Sequence, residues 1–376
     1  MSEHRTRAPL QIDPDPRRAR TLPAWAYTDA GHFEREVPAV FHRSWQYAGA
    51  MSQLARTGDF ITADVAGQSV AIVRGEDGTL RGIHNVCRHR GHPLLAGQGC
   101  VQRLVCPYHA WSYGLDGRLR TARGAEGTPA LADVALAPVR VEVLAGKFVF
   151  FNMDADAVPL ATLAGGLVEE LRNEIPDFDT LDRVERAAPV DGRIAPAGPL
   201  IRANWKVVVD NCLECNHCRP IHPAFVRLID MKGFRTRSHP HWASLKGELL
   251  EPSPVPASAR NRSYRFWWLW PSTYFEMSPG GAHGVTVGST QPVDVGTSTP
   301  GRSDRYGLPG APLFEPRGYG DMNLVPEDYS AMEAVQRGLH SLGYGRGHYN
   351  VDAADGETNE ATVHRFHQLV VEALGP

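Results

Sequence analysis

The sequence lacks any apolar run long enough for a membrane-spanning helix, and its first twenty residues are rich in Arg, Asp and Pro instead of carrying the apolar core of a secretory signal. An excess of one charge is also missing. The 39 basic and 42 acidic residues leave a net charge of −3, which does not indicate nucleic acid or a membrane as a partner. Six cysteines in 376 residues are too few for a disulfide scaffold. We therefore expect a cytoplasmic protein whose clustered cysteine and histidine serve metal or redox chemistry.

Two domains are expected, with a boundary near residue 155. Residues 1 to about 24 predict a loose arm, and residues 27–45 a helix. Short β-branched runs separated by turn residues fill residues 59–152, a pattern typical of a small antiparallel β domain.

The remainder of the chain alternates amphipathic helices with strands. A Gly, Pro, Ser and Thr rich stretch at residues 291–316 predicts a long loop. An aromatic strand or strand pair is predicted at residues 264–275. The predicted helices span residues 160–174, 204–218, 328–342 and 361–374.

Two short segments of the predicted β domain each contain one cysteine and one histidine: Cys87 with His89, and Cys106 with His109. Zinc sites usually take both cysteines from one turn and both histidines from another. Here each segment supplies one of each, which favours a two-iron cluster with the cysteines on one iron and the histidines on the other. A structural zinc site is the alternative. The nearby His84 and His92 are interpreted as surface or supporting side chains.

A second constellation lies in the predicted helix at residues 204–218 and just after it, where His217 and His222 follow the acids Asp210 and Glu214. A ferrous site that activates oxygen needs two histidines and one carboxylate on one face, with the opposite positions open. The five-residue offset of the histidines is too long for one helical turn. We therefore expect the helix to break or widen at residues 218–220.

Three cysteines, Cys212, Cys215 and Cys218, recur every three residues in the same segment and are predicted to line one helix face. We interpret them as small buried side chains, with a zinc site or second cluster as the alternative. Cys100 lies outside both Cys–His segments and is expected to be a buried or free thiol.

The aromatic segment at residues 264–275 suggests how a substrate is held. Aromatic rings bind a trimethylammonium group through cation–π attraction. Trp268, Trp270 and Tyr274 are the candidate rings, and packing of the sheet core is the alternative.

The segments at residues 87–91 and 106–111, together with the stretch from Asn204 to His222, resemble the oxygenase (alpha) component of Rieske non-haem iron oxygenases. The resemblance extends over nearly the whole chain. It implies an α+β fold with a Rieske [2Fe-2S] antiparallel β domain at residues 45–155. A START-like catalytic domain of helices on an antiparallel sheet would follow at residues 156–376, and residues 1–44 would pack on that second domain.

The same resemblance assigns the site residues. Asp328, at the start of a helix, is the third iron ligand; the alternatives are Asp321 as ligand, or Asp328 as a plain helix charge. Glu214 takes the position of the carboxylate that links the iron of one subunit to a cluster histidine of the next, and Asp210 is the alternative. The implied ligands are Cys87, His89, Cys106 and His109 for the cluster, and His217, His222 and Asp328 for the mononuclear iron.

With glutamate at position 214, the sequence is similar to the family branch that oxidises quaternary ammonium compounds such as choline, glycine betaine, carnitine and stachydrine. The resemblance implies one [2Fe-2S] cluster and one Fe(II) per subunit, a homotrimer, and a separate NAD(P)H-dependent flavin and iron–sulfur reductase. With O2, such an enzyme hydroxylates or N-demethylates a small substrate. One rival is an aromatic-acid ring hydroxylase or O-demethylase, in which Arg202 or Arg265 would pair with a carboxylate. The other is an electron carrier or zinc-binding protein without oxygen chemistry.

Overall fold

The computed structural model describes residues 10–125, 127–184, 200–280, 284–309, 324–351 and 355–375. In these residues the helices are α1 Trp25–Thr28, α2 Ala30–Val40, α3 Leu160–Leu163, α4 Leu167–Glu174, α5 Trp205–Cys212, α6 Cys218–Ile221, α7 Pro223–Leu228, α8 Leu324–Gly338 and α9 Ala361–Leu374. The strands are β1 Gln46–Ala50, β2 Asp59–Val65, β3 Gln68–Arg74, β4 Leu80–His84, β5 Gln98–Cys100, β6 Leu104–Val105, β7 Ser112–Tyr113, β8 Leu119–Thr121, β9 Pro138–Leu144, β10 Phe148–Asn152, β11 Asp182–Arg183, β12 Arg235–Ser238, β13 Trp242–Glu248, β14 Ser263–Leu269, β15 Thr273–Met277, β16 Val285–Asp294 and β17 Thr297–Gly307.

The first ten strands form two antiparallel sheets. The larger has the order β1-β10-β9-β4-β3-β2-β5, and the smaller has the order β6-β7-β8. One Cys–His segment lies between β4 and β5, and the other lies between β6 and β7. The predicted antiparallel β architecture is confirmed, and it presents the two segments from neighbouring connections.

The second large sheet, in the order β11-β17-β16-β15-β14-β13-β12, is covered on both faces. Side chains alternate across its strands. Phe266 and Trp268 belong to the core that includes Phe366 of α9. Trp267 and Phe275 point the other way, into the core that includes α4. The predicted arrangement of helices on an antiparallel sheet is confirmed.

The predicted loop at residues 291–316 is wrong for the part that the structure describes. Strands β16 and β17 pair across it as a hairpin, with Gln291 opposite Thr299. The register shifts between Pro292 and Asp294, and proline is tolerated beside such irregularities because a ladder hydrogen bond is already missing there. Residues 310–316 lie outside the described residues.

Two predicted helices are each divided in two. The segment at residues 27–45 forms α1 and α2, because the Asp29 side chain accepts a hydrogen bond from the His32 amide (2.7 Å) and starts a new helix. The segment at residues 160–174 is divided between α3 and α4, and Gly166 there has φ +83°, which glycine adopts without strain.

A buried ion pair joins α2 to α5. The Lys206 ammonium lies 2.7 and 2.6 Å from the two carboxylate oxygens of Glu36, and both side chains are fully buried. His32 Nε2 lies 3.1 Å from the same carboxylate, and Trp205 Nε1 also donates to it. The N-terminal helices are therefore anchored to the second half of the chain.

Replacing Lys206 with methionine is expected to reduce the free energy of unfolding by about 3–5 kcal/mol, because the Glu36 carboxylate would remain buried without its cation. Urea unfolding followed by tryptophan fluorescence measures the change. The control is Asp77→Asn in the exposed Asp77–Arg81 pair, which should leave the unfolding curve unchanged. An unchanged unfolding curve for Lys206→Met would show that the Lys206–Glu36 ion pair does not stabilise the fold.

Candidate metal centres

The two Cys–His segments adopt matching turns. The Gly91 amide donates to the Cys87 carbonyl and the Ala110 amide donates to the Cys106 carbonyl, both at 3.0 Å. Each turn closes with a residue at positive φ, +75° for Gly91 and +58° for Ala110. The structure thereby presents one thiol and one imidazole from each of two equivalent turns.

The two histidine rings of these turns meet, and the two cysteines lie in one core cluster. The rings of His89 and His109 lie edge to face with centroids 4.6 Å apart, and Trp111 stacks on His89 at 4.7 Å. Cys87 and Cys106 are buried, and Cys87 Sγ lies 3.3 Å from the Tyr113 hydroxyl.

The chemistry of this donor set fits a [2Fe-2S] cluster. The Nδ1 atom of His89 is buried and has no hydrogen-bond partner in the described part of the chain, as expected of an imidazole nitrogen aimed at a metal. Burial, then the neighbouring His89 and Arg90, lower the pKa of His109, which favours the neutral imidazole that binds metal.

A second group of metal-binding side chains forms between α6 and α8. One ligand atom from each of His217, His222 and Asp328 lies within 4.8 Å of the others. The Asp328 carboxylate is 3.4 Å from His217 Nε2 and 3.0 Å from His222 Nε2. Two imidazoles and one carboxylate facing one point are a donor set suited to ferrous iron. The competing Asp321 lies outside the described residues.

A carboxylate holds the other nitrogen of each imidazole. Glu214 accepts from His217 Nδ1 at 2.5 Å, and Glu327 accepts from His222 Nδ1 at 2.8 Å. These contacts fix both rings with Nε2 toward Asp328. Sequence reasoning missed the role of Glu327; its only signal was its position beside Asp328.

The ionised forms of these side chains stabilise one another. Burial opposes ionisation of Asp328, but hydrogen bonds from His217 and His222 lower its pKa to about 2. Burial likewise opposes protonation of His217, but hydrogen bonds to Asp328 and Glu214 raise its pKa to about 9. A metal ion entering here would displace the proton on His217.

The helix carrying these residues ends earlier than predicted. Helix α5 stops at Cys212, and the expected break at residues 218–220 is instead a helical turn, α6. The three cysteines therefore do not share a helix face. Cys215 and Cys218 form a disulfide across the turn that contains His217, while Cys212 is free. Cys100 is also free, and it is exposed.

Asp210 is directed away from the histidine pair. Its carboxylate accepts from the Tyr27 hydroxyl and from His367 Nε2, both at 2.8 Å. Tyr349 in turn contacts His367 Nδ1 at 2.6 Å. These contacts join Asp210 to α1 and α9, whereas Glu214 contacts the His217 imidazole directly.

The candidate substrate rings divide into two groups. Trp268 packs on Phe366 with ring centroids 5.6 Å apart, and Trp270 Nε1 donates to Ser44 Oγ. Both tryptophans are buried, which favours core packing for them. Tyr274 is only half-buried.

Two parts of the chain match the models of known domain families. Residues 44–136 match the Rieske [2Fe-2S] domain, and residues 178–292 match the ring hydroxylating alpha subunit catalytic domain. The carnitine monooxygenase oxygenase subunit of Escherichia coli K12 is 36% identical over 371 residues, which covers 96% of this chain and 95% of that protein. The chain belongs to the Rieske non-haem iron oxygenase family.

Other relatives extend this match. The chloroplastic choline monooxygenase of Beta vulgaris is 27% identical, over 97% of this chain and 80% of that protein. A crystal structure of the quaternary ammonium Rieske monooxygenase CntA with L-carnitine has a TM-score of 0.81 and 32% identity, covering 97% of this chain and 100% of that one. As a Rieske oxygenase component, this protein carries a [2Fe-2S] cluster and a mononuclear iron, and it works with a separate reductase, oxygen and a small substrate. None of the helices in the described ranges is long and apolar enough to cross a membrane.

Proposed function

We propose that this Rieske oxygenase hydroxylates or N-demethylates a small quaternary ammonium compound. The observation that carries the proposal is the meeting of His217, His222 and Asp328 in a chain that matches a carnitine monooxygenase subunit over almost its entire length. Half-buried aromatic side chains on the sheet nearby supply the surface that such a cation needs.

We assign the cluster to Cys87, His89, Cys106 and His109, and the iron to His217, His222 and Asp328. When bound, the cluster supplies single electrons and the iron activates oxygen for attack on a substrate carbon. Glu214 and Glu327 hold the ligand histidines in one tautomer and orientation.

The aromatic-acid alternative has little support in the structure. It requires an arginine available for a substrate carboxylate, but Arg265 is bound to Glu174 (2.7 Å) and Glu248 (2.5 Å) on the sheet face that carries α4. Arg202 is exposed at the surface.

Substrate screening tests the proposal. With an NAD(P)H-dependent reductase supplied, choline, glycine betaine and carnitine should stimulate oxygen uptake, and N-demethylation should release formaldehyde. Benzoates should do neither. Oxygen uptake coupled to benzoate oxidation alone would refute the quaternary ammonium assignment.

We further propose a head-to-tail homotrimer in the cytoplasm, where its nicotinamide-dependent reductase has its electron source. The proposed domains are residues 1–44, 45–155 and 156–376. In such a ring Glu214 would connect the iron site of one subunit with a cluster histidine of its neighbour.

Replacing Glu327 with glutamine is expected to weaken Fe(II) binding by about 10–100-fold, because the His222 ring loses its charged anchor. Iron retained after dialysis at a series of free-metal concentrations measures the effect. Cluster absorbance should be unchanged. Glu333→Gln, further along α8, serves as the matched control. Equal iron retention in the Glu327→Gln variant and the wild type would show that Glu327 does not support the iron site.

A further inference from the structure

One face of the second sheet carries an acidic side chain among aromatic rings. Across β14 and β15, Phe266 lies opposite Glu276 and Trp268 lies opposite Tyr274. Directly opposed residues in a sheet share a face, so Glu276 is on the same face as these rings. Phe266 and Trp268 place this face on the side of α5 and α9.

The side chains on this face are unequally buried. Phe266 and Trp268 are buried, whereas Tyr264, Tyr274 and Glu276 are only half-buried and so retain accessible surface. Gly288 stands opposite Tyr274 on the next strand, and a Cβ atom there would lie 2.4 Å from the tyrosine hydroxyl. The missing side chain at Gly288 makes room for the phenol.

The tyrosine on this face lies close to the proposed iron site. Tyr264 packs edge to face on Phe225, with ring centroids 5.1 Å apart, and Phe225 belongs to α7, which begins directly after His222. Burial raises the pKa of the Cys212 thiol and of Tyr264, and the carboxylates of Asp328 and Glu276 both raise these pKa values further. The acidic side chain is therefore near the position where a substrate must approach the iron.

We propose that Glu276 is the counter-charge for the ammonium group of the substrate, set beside the rings of Tyr264 and Tyr274. This assignment rests on the proposed function and deepens it. The pocket would select for positive charge as well as for size and shape.

The chemistry of a trimethylammonium group explains this combination. It has no N–H to donate, so recognition depends on ring faces and on charge attraction over several ångströms. Ser278 Oγ donates to Glu276 Oε1 at 3.3 Å and helps to orient the carboxylate. Asp328 is assigned to the iron, and Glu276 adds a second negative charge on the face that the ammonium group would contact.

The test compares trimethylammonium compounds with analogues of the same shape in which a neutral carbon replaces the charged nitrogen. Calorimetric titration of the iron-loaded protein would use choline against 3,3-dimethylbutan-1-ol, and glycine betaine against 3,3-dimethylbutanoate. We expect the wild type to prefer the better ammonium ligand by at least about tenfold over its carbon analogue. Glu276→Gln should remove most of that preference, Glu276→Asp should retain part of it, and the exposed Glu169→Gln should change neither affinity.

Two results would overturn the assignment. In one, Glu276→Gln binds the ammonium ligand as tightly as the wild type. In the other, it loses the ammonium ligand and the carbon analogue equally, which would mean that Glu276 only shapes the pocket. If the wild type binds no ammonium compound but binds benzoate, the proposed function itself fails, and the Glu276 assignment fails with it.

Discussion

Replacing His222 with alanine is expected to abolish oxygen-dependent product formation, a loss of at least about 10³-fold, while the absorption and EPR spectra of the cluster remain intact. His222 supplies one of only two imidazoles in the proposed iron site, and its Nε2 lies 3.0 Å from Asp328. Product formation with excess reductase measures the loss, and metal analysis should show the cluster iron alone.

The matched control is His340→Ala, just beyond the end of α8, where the side chain is exposed. That variant should retain full activity and its full iron content. Turnover surviving in His222→Ala would exclude His222 as a ligand. Loss of the cluster spectrum would instead indicate that the substitution disturbs the fold.

Replacing Glu214 with glutamine is expected to slow reoxidation of the reduced cluster by at least about 100-fold in the presence of substrate and oxygen. Glutamine can still accept a hydrogen bond from His217 Nδ1, so the iron ligand stays oriented while the charge is lost. Stopped-flow absorbance in a single turnover measures the rate directly. Iron content and substrate affinity should change little.

Asp210→Asn tests which of the two acids, Asp210 or Glu214, links the iron of one subunit to the cluster of the next. The Asp210 carboxylate contacts Tyr27 and His367 and does not contact the iron-site imidazoles. We expect its substitution to lower stability with near-normal cluster reoxidation. Fast reoxidation in Glu214→Gln, together with slow reoxidation in Asp210→Asn, would transfer the bridging role to Asp210.

The sequence predicts this fold well where local pattern and chemistry coincide. Strands β2, β3, β9 and β10 and helix α9 follow directly from side-chain periodicity. The hairpin of β16 and β17 could not be predicted in this way. Its glycines and prolines are typical of a loop, and only pairing between the two strands stabilises them in a sheet.

Prediction of the site from the sequence has the same limit. Residue types and spacing indicate His217 and His222, which are close in sequence. The partner of His222, Glu327, is 105 residues away along the chain, and only the packing of α8 brings them together. Glu276 was missed for a related reason, since a single acid in an aromatic strand has no meaning until its face is known.

The anchoring of α1 and α2 has a consequence for how the protein is made. Tyr27 contacts His367, 340 positions later, at 3.0 Å, and the sheets that hold the cluster are formed by the chain between α2 and α3. The sheets with the Cys–His segments are thus formed by a stretch of chain that lies between elements packed on each other. On a ribosome these strands emerge before α9 exists. The contacts of α1 with α9 must wait for the last helix, and because their sequence separation is very long, we expect them to form late in folding.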